Sequence, residues 1–530
     1  MNNLIKLLLA VVVLFFWNSC NDDIEFEIND TPLLFSKDTV YLDTVFTNIG
    51  SSTYNLKVYN NSNKNILIPE IKLSNGNNSF FRLNVDGIYN QNDNNGKRFE
   101  NIELLANDSL YIFIETTIDI NEISTVQNSF LYEDKIEFLN LNSSQNVNLI
   151  SLVKDAVFIY PGRYENEQEY IYETLEIDFD GDGISEQTEI RGRYLDENEL
   201  IFTNEKPYVV YGYAAVGNGQ ELIIEKGSRI HFHDNSGLII TNGGSIKANG
   251  EFSQNQGLEN EIIFEGDRLE PFFENIPGQW GAIWLLDGSI DNEFSYCTIK
   301  NASVGIYTTG GANYDDFKLD LLNVQIYNSS NFGILSLSSS IDAQNLVINK
   351  SGQSSFAGTY GGKYKLNHCT ISNFWNSGIR QFPSVLFNDF FIDSENNEYV
   401  NELFDVDISN SIIYGNQNIE FLVENLSDLD LDFKLINTLV KFDDVNNYFE
   451  NDPKYDFSND QYYENLFDNL LPGFINPIQN DLRIDQNSEV IGLGSLEFAI
   501  LTVISSFFIF GITSRFSEAR YPFFLSQTGK

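Results

Sequence analysis

LNHCTISN, residues 366–373, is one of six stretches that decide the fold of this 530-residue chain. The others are FSYCTIKN (294–301), LLNVQIYN (321–328), AQNLVINK (343–350), ISNSIIYG (408–415) and LINTLVKF (435–442). Placed beneath one another, they start their strands at 297, 324, 346, 369, 411 and 438, and the first three steps are 27, 22 and 23 residues. Steps of this size are typical of one coil of a parallel β-helix, so the six stretches predict that architecture for this part of the chain.

The residue directly before each of these strands is nearly constant. After Tyr296 in the first stretch, this position holds Asn323, Asn345, His368, Asn410 and Asn437. Stacked side-chain amides satisfy backbone groups at a corner of such a coil. We therefore predict an asparagine ladder, in which His368 is a structural substitute rather than a catalytic histidine.

The two internal cysteines, Cys297 and Cys369, share the next column of this alignment and lie three coils apart. Their separation is then about 14 Å, because neighbouring strands are ~4.8 Å apart. A disulfide needs Cα atoms within ~7 Å. We expect both residues to be free thiols that point into the coil.

Residues 32–155 have a different pattern, in which apolar and polar positions alternate within short runs. TVYLDTVFT (39–47), YNLKVYN (54–60) and SLYIFIE (109–115) are examples. Period-two runs at this spacing predict a β-sandwich, and their order resembles the immunoglobulin-like domains of bacterial surface proteins. Triplets that begin at Asp38, Asp43 and Asp108 also resemble a Bacteroidetes O-glycosylation signal, although their Thr and Val residues are ordinary strand formers.

The N-terminus has the pattern of a lipoprotein signal peptide. Residues 1–19 hold one lysine and the 11-residue apolar run Leu7–Trp17, which is too short for a bilayer that needs ~20 residues. The run ends at Cys20, whose thiol would carry the lipid anchor. The stretch resembles a Bacteroidetes lipobox, although Trp17 replaces the usual Leu or Val, and the alternative is an ordinary signal peptide with an incidental cysteine. Residues 20–31 form an acidic tether that resembles a surface-export signal, which implies an outer-membrane lipoprotein that faces the cell exterior.

The chain is strongly acidic, with a formal net charge of -45. Removal of residues 1–19 takes away only Lys6, so the mature chain would carry -45 - 1 = -46. This charge makes nucleic acid and bare anionic membrane poor partners and divalent cations good ones. Hydrophobic residues make up 42% of the chain, which is enough for a large core, so the acidity belongs to a folded surface.

Several phrases between 206 and 495 occur in a fixed order, among them KPYVVYGYAAV (206–216), GSRIHFHDNSGLII (227–240) and PGQWGAIWL (277–285). Together they resemble a largely uncharacterised family of Bacteroidetes lipoproteins with right-handed parallel β-helix repeats. The expected fold class is therefore all-β, with an immunoglobulin-like β-sandwich at 32–155 followed by a right-handed parallel β-helix at 206–495. Residues 156–205 are expected to form an acidic hairpin linker between them.

This linker contains the sharpest local motif, IDFDGDGISEQTEI (177–190). Its spacing matches the calcium loop D-x-[DN]-x-[DN]-G-x5-E, in which several oxygens converge on one cation. The predicted ligands are Asp178, Asp180, Asp182, Ile184 through its carbonyl, Glu186 and Glu189. Because the flanks alternate like strands, we predict a calcium-binding hairpin loop that stiffens the junction. An acidic turn that binds nothing tightly is the alternative.

Three tryptophans and two histidines are further candidates for ligand binding, but each could equally have a structural role. Trp280, Trp284 and Trp375 are possible glycan contacts, although aromatic residues in such phrases more often pack the coil. His231 and His233 alternate with apolar residues and should share one outer face, where they could bind zinc, but no third ligand is evident.

We predict a non-enzymatic surface lipoprotein that binds, or is a scaffold for, a glycan or an outer-membrane protein. The alternative is a β-helical carbohydrate-active enzyme of the polysaccharide lyase or glycoside hydrolase type. A lyase needs a base near bound calcium, and Arg380 is the one basic residue we nominate. A hydrolase needs two carboxylates, and the adjacent pair Asp315-Asp316 lies in a turn-like segment. The motifs of pectin hydrolases are absent.

The C-terminus does not fit this picture. Residues 496–530 begin with the uncharged 15-residue run Phe498–Ile512, which is also shorter than a transmembrane span. A lipid-anchored protein has no evident use for a second anchor. We hypothesise that this tail is non-native, for example frame-shifted, and a membrane-associated tail is the alternative.

Overall fold

The computed structural model describes residues 25–28, 32–89, 95–119, 129–140, 144–166, 169–179, 183–255, 257–311, 316–426 and 431–495. The chain divides into two compact units, Met1–Asp155 and Ala156–Lys530. The predicted all-β fold class is confirmed, since the helical segments of the described residues are single 3-10 turns. They are Gly76–Asn78, Glu197–Glu199, Pro271–Phe273, Pro453–Tyr455 and Pro477–Gln479. No helix in these ranges is long and apolar enough to cross a membrane.

The first unit contains nine described strands. They are β1 (Leu34–Phe35), β2 (Thr39–Phe46), β3 (Tyr54–Tyr59), β4 (Ile66–Leu73), β5 (Phe81–Val85), β6 (Arg98–Leu104), β7 (Ser109–Thr116), β8 (Ser129–Leu139) and β9 (Ser144–Lys154). One sheet has the order β1-β3-β7-β5 and is antiparallel, and the other has the order β2-β9-β8-β4-β6 with a parallel pair at β2 and β9. Alternate residues of both sheets enter one buried core, as the period-two runs require.

The second unit begins with strands β10 to β27. They are β10 (Val157–Ile159), β11 (Arg163–Asn166), β12 (Glu169–Tyr172), β13 (Thr174–Ile177), β14 (Glu186–Tyr194), β15 (Ile201–Phe202), β16 (Tyr208–Val210), β17 (Tyr213–Val216), β18 (Glu221–Ile224), β19 (Arg229–Phe232), β20 (Gly237–Ile240), β21 (Ser245–Asn249), β22 (Ile262–Gly266), β23 (Trp280–Leu285), β24 (Asn292–Ser295), β25 (Cys297–Lys300), β26 (Ala302–Thr309) and β27 (Leu319–Leu322).

The same unit continues with strands β28 to β44. They are β28 (Gln325–Ser329), β29 (Phe332–Gln344), β30 (Val347–Ser351), β31 (Phe356–Asn367), β32 (Thr370–Asn373), β33 (Val385–Asn388), β34 (Phe390–Ile392), β35 (Glu398–Val400), β36 (Leu403–Ser409), β37 (Ile412–Gly415), β38 (Phe421–Glu424), β39 (Phe433–Ile436), β40 (Leu439–Val440), β41 (Tyr463–Glu464), β42 (Phe467–Asp468), β43 (Phe474–Asn476) and β44 (Asp481–Ile484).

Most of these strands form three rows of parallel neighbours. Row A is β10-β16-β19-β22-β25-β28-β30-β32-β37-β40-β42. Row B is β14-β17-β20-β23-β26-β29-β31-β33-β38, and row C is β15-β18-β21-β24-β27-β29-β31-β36-β39-β41, so β29 and β31 belong to both. From β16 to β40 the chain visits rows A, B and C in that order, and inward side chains from all three rows join one core.

The register of row A agrees with the alignment of the six stretches and confirms it. Thr298 pairs with Gln325, Gln325 with Val347 and Val347 with Thr370, and Thr370 then pairs with Ile412 and Ile412 with Leu439. These residues all stand one position after the predicted strand starts. The sequence pattern therefore identifies the true repeat.

A left-handed backbone conformation explains why the corner position repeats the same residue type. Tyr296, Asn323, Asn345, His368, Asn410 and Asn437 all have φ between 48° and 57°. This region is sterically costly for most residues, and asparagine tolerates it best after glycine. Each residue connects a strand of row C to the following strand of row A, so the sharp corner selects the residue type.

Residues 156–205 are not a separate linker, which corrects the sequence-based boundary. β10 is the first strand of row A, and β14 pairs in parallel with β17 at Gly192–Tyr213. The antiparallel pair β13 and β14 packs Leu175 and Ile177 against Ile239 on the outer face of row B. The expected hairpin exists, but it is built into the second unit.

Candidate functional site

A column of charged side chains runs along the outer face of row C, and we call it the charged face. Its members occupy one register position on seven successive strands: Lys247, Glu293, Asp320, Asp342, Lys365, Asp407 and Lys434. Neighbouring members therefore lie on strands that are about 4.8 Å apart. Their neighbours in sequence, such as Leu321 and Ile341, are buried in the core, because successive side chains of a strand point to opposite sides.

Ion pairs neutralise part of this face. Lys247 Nζ lies 2.7 Å from both Asp291 Oδ1 and Glu293 Oε1, and Lys365 Nζ lies 3.9 Å from Asp342 Oδ2. Among the described residues, no cationic side chain is close enough to Asp320 for an ion pair. Negative charge is therefore concentrated at the centre of the face.

The central carboxyl groups are perturbed by this environment. Partial burial, followed by the charges of Asp342 and Glu293, raises the pKa of Asp320 to about 6, although part of this side chain is exposed to solvent. Burial also raises the pKa of Asp342, and burial together with Asp405 raises that of Asp407. Asp342 Oδ1 is enclosed and accepts no hydrogen bond from the part of the chain that is described. Asp320 therefore keeps its proton to a higher pH than an ordinary aspartate does.

A buried lysine lies directly before β27, next to this face. Lys318 is 1% exposed, and its Nζ donates to the carbonyl oxygens of Leu286 and Thr309, each at 2.5 Å. Burial lowers its pKa to about 7, although Asp287 acts in the opposite direction. Lys318 is not accessible to a ligand. We therefore interpret it as a structural residue that stabilises the strands behind the charged face.

The outer faces of the other rows are partly covered. On row A, Leu482 packs against Tyr327 and Val347, and Val490 packs against Ile412 and Leu439. On row B, the hairpin of β13 and β14 covers Ile239. By contrast, Asp320, Lys365 and Asp407 on row C are exposed to solvent, which makes row C the best candidate for a binding surface.

The predicted asparagine column is joined in pairs. Asn345 Nδ2 donates to Asn323 Oδ1 at 2.7 Å, and Asn410 Nδ2 lies 3.2 Å from His368 Nε2. Asn437 Oδ1 accepts from Asn465 Nδ2 at 3.1 Å. Sequence reasoning missed Asn465, although the following Leu466-Phe467 repeats the pattern of an Asn before a strand.

The structure describes only part of the predicted calcium loop. Asp180 and Asp182 lie outside the described residues. Asp178 Oδ2 accepts from the Gly183 backbone N–H at 2.9 Å, and Glu186 opens β14 opposite Ile177. Glu189 lies three residues further along β14, where the pairing of β13 with β14 is irregular. No group of three or more potential metal ligands occurs in the described ranges.

The tryptophans do not offer open platforms, which corrects their assignment as glycan contacts. Trp280 is 1% exposed and its indole N–H donates to the Lys300 carbonyl oxygen at 2.9 Å, while Trp375 is also buried. Trp284 is half-buried and stacks on Tyr307, with ring centroids 5.2 Å apart. Stacking along the column covers the ring faces that a sugar would need.

The two histidines have different environments. His231 is buried and its Nδ1 lies 3.2 Å from the Gly266 carbonyl oxygen, whereas His233 Nδ1 lies 2.7 Å from Asp267 Oδ2. Both rings therefore already have protein partners. Their separate partners make a shared zinc site a poor interpretation.

Arg380 is not available as a base. Its guanidinium forms a bidentate ion pair with Glu420, at 2.6 and 2.8 Å, and both side chains are buried. Ser384 also donates to Glu420 at 2.7 Å. Of the acidic pair considered for a hydrolase, Asp316 is exposed and Asp315 lies outside the described residues.

Both internal cysteines are buried and free, as predicted. Burial raises the pKa of the Cys297 thiol, and it raises that of Cys369 to about 12. Neither thiol is suited to nucleophilic chemistry. Cys20 lies outside the described residues.

Comparisons with known proteins give no assignment. No protein-family model and no curated protein matches the sequence. Similar solved structures include a family 123 glycoside hydrolase from Clostridium perfringens, with 8% identity, a TM-score of 0.17 and coverage of 24% of this chain and 30% of that chain. Another is the PapD-like domain 7 of human CEP192, with 10% identity, a TM-score of 0.15 and coverage of 25% of this chain and 94% of that chain. The chain thus spans less than a third of the glycoside hydrolase, and neither likeness defines a fold.

Proposed function

We propose that this protein is a non-enzymatic, lipid-anchored protein of the bacterial outer surface that binds a neutral polysaccharide along its charged face. In this proposal the second unit is a right-handed parallel β-helix and the first is an immunoglobulin-like spacer. The repeated order of rows A, B and C supports the β-helix. The two sheets around one core in the first unit support the sandwich.

The observation that carries the binding proposal is the uninterrupted charged column on the exposed side of row C. Sugar hydroxyls both donate and accept hydrogen bonds, and carboxylates and ammonium groups provide matching acceptors and donors. The same chemistry recurs at each strand spacing, which suits an extended polymer better than a compact ligand. The net charge of -45 favours a neutral polymer over an anionic one.

Affinity electrophoresis in gels that contain neutral or uronic-acid polysaccharides tests this proposal. We expect a neutral polymer to retard the full-length protein, and the triple variant Asp320→Ala/Asp342→Ala/Lys365→Ala to lose that retardation. The matched control is Glu450→Ala, which removes an exposed charge elsewhere. Migration that no polysaccharide changes would reject glycan binding, and capture of a stoichiometric outer-membrane protein through the same three residues would favour a protein ligand.

A glycoside hydrolase is the second candidate, because Asp320 and Asp342 resemble an acid and base pair. A hydrolase needs one protonated and one ionised carboxyl group, and the pKa of Asp320, raised to about 6, suits the protonated partner. We expect no new reducing ends after incubation with the retarding polymer at pH 5–7. Their appearance, and their loss in Asp342→Asn, would replace the non-enzymatic proposal with this one.

Calcium binding is retained as a proposal for residues 178–186, because Asp178 and Glu186 lie at the two ends of one loop. Calcium would supply a positive charge that draws these carboxylates together. A calcium-dependent rise in the melting temperature that Asp178→Asn abolishes would support this role.

Mass spectrometry of the membrane-extracted N-terminus, with Cys20→Ala as the control, tests the lipid anchor.

A further inference from the structure

A small hairpin interrupts the regular order of rows in the second unit. β34 and β35 form an antiparallel pair within residues 389–402, between β33 of row B and β36 of row C. One repeat earlier in the chain, the single strand β31 runs from row B directly to row C. The fold therefore does not require an insertion between these two rows. The hairpin is therefore a candidate for a separate role.

The hairpin is well built. Asp393 accepts hydrogen bonds from the backbone N–H groups of Glu395 and Asn397, at 2.9 and 2.8 Å, and from the Tyr399 hydroxyl at 3.1 Å. At its base, the Asn401 N–H donates to the Asp389 carbonyl oxygen at 2.8 Å. Side chains on this hairpin are thus held in place before any partner arrives, which reduces the entropic cost of binding.

Its strands expose large apolar side chains. Phe391, Ile392, Tyr399 and Val400 are 45–48% exposed. Phe391 pairs with Tyr399 across the strands, whereas Ile392 pairs with Glu398, so apolar groups lie on both faces of the ribbon. Exposed apolar side chains that cluster in this way often mark protein interaction sites, whereas singly scattered ones do not.

The charge around these groups selects the partner. Residues 389–402 contain five carboxylates and neither lysine nor arginine. A second copy would bring like charges together, and an anionic lipid surface would repel the tip. The complementary surface is an apolar recess with a basic rim.

We propose that residues 389–402 are a docking hairpin for another protein, which receives the apolar side chains in a recess bordered by lysine or arginine. This role is independent of polysaccharide binding on the charged face. The hairpin would then have a binding function, since the regular rows of strands form without it.

Photo-crosslinking of the full-length chain in its native cells tests this proposal. The photoreactive residue p-benzoylphenylalanine replaces Ile392, and the control position is Tyr448, which is 79% exposed outside the hairpin. We expect one protein adduct at position 392 and none at 448. The cross-linked partner peptide should contain lysine or arginine next to apolar residues.

Charge reversal supplies the second arm. Glu395→Lys/Glu398→Lys should lower the adduct yield at position 392 at least about tenfold, which corresponds to ~1.4 kcal/mol, whereas the matched control Glu450→Lys should leave it unchanged. Circular dichroism checks that the variants fold. An adduct with a second copy or with lipid, equal labelling at 392 and 448, or a yield unaffected by charge reversal would each overturn the proposal.

Discussion

Lys318→Met should remove a specific pH dependence from the stability of the second unit. Burial lowers the pKa of Lys318 to about 7 from its ordinary value of 10.5. Between these values the unfolded chain holds a proton that the folded chain has released, so this group makes stability rise with pH. Each pKa unit is worth about 1.4 kcal/mol, so the full window amounts to roughly 5 kcal/mol. About 2.5 kcal/mol of this falls between pH 7 and pH 9.

Urea unfolding followed by tryptophan fluorescence measures this effect. Trp280, Trp284 and Trp375 all lie in the second unit, and the fourth tryptophan, Trp17, belongs to the predicted signal peptide. The difference between wild type and variant cancels the contributions of other titrating groups. It should shift by about 2.5 kcal/mol from pH 7 to pH 9.

The matched control is Lys226→Met, because Lys226 is about half exposed and pairs with Glu251 on the surface. Its difference from wild type should stay constant over the same pH range. Parallel pH profiles for wild type and Lys318→Met would refute the reasoning, since they would mean that Lys318 keeps an ordinary pKa in the folded chain.

Three further perturbations test the remaining electrostatics. The raised pKa of Asp320 means that the folded chain loses stability as pH rises from about 4 to 6. Asp320→Asn should therefore raise the free energy of unfolding at pH 7 by on the order of 1 kcal/mol, after allowance for solvent screening, and by nothing at pH 4; an equal gain at both pH values would contradict the account. Arg380→Met leaves Glu420 buried without its ion pair and should lower stability by about 3–5 kcal/mol in thermal denaturation. Cys297 should resist alkylation in the native chain and react only in urea, because burial raises its pKa and blocks access; rapid native labelling would show that the core opens.

The row A register could be predicted because one backbone conformation restricts the residue type. The left-handed corner at Asn323, Asn345 and Asn410 excludes most side chains. The position therefore repeats visibly in the sequence, and it places the following strand correctly. His368 fits the same column, because histidine also tolerates this conformation better than branched residues do.

The charged face could not be predicted in the same way. Asp320 and Asp342 are ordinary polar positions of alternating strands, and nothing in either strand marks them as neighbours. They meet because β27 and β29 pair in row C, and connections of unequal length precede these strands. Only the register across strands shows that Glu293, Asp320 and Asp342 form one column.

Local motifs were misleading where tertiary structure decides direction. The sequence around Trp280 does not show whether its side chain points outward or inward. In the structure it is buried against Phe232, with ring centroids 4.3 Å apart. Sequence spacing records distance along the chain and not the side on which a residue lies.

Carbodiimide footprinting of carboxylates, with and without the retarding polysaccharide, tests the central proposal most directly. We expect the bound polymer to protect Glu293, Asp320 and Asp342 from modification and to leave Glu450, which is exposed and not a member of the column, fully reactive. Peptide mass spectrometry quantifies each site in one digest. Protection of Glu450 to the same extent, or binding of the polymer without protection of the three carboxylates, would contradict the assignment of the charged face as the binding surface.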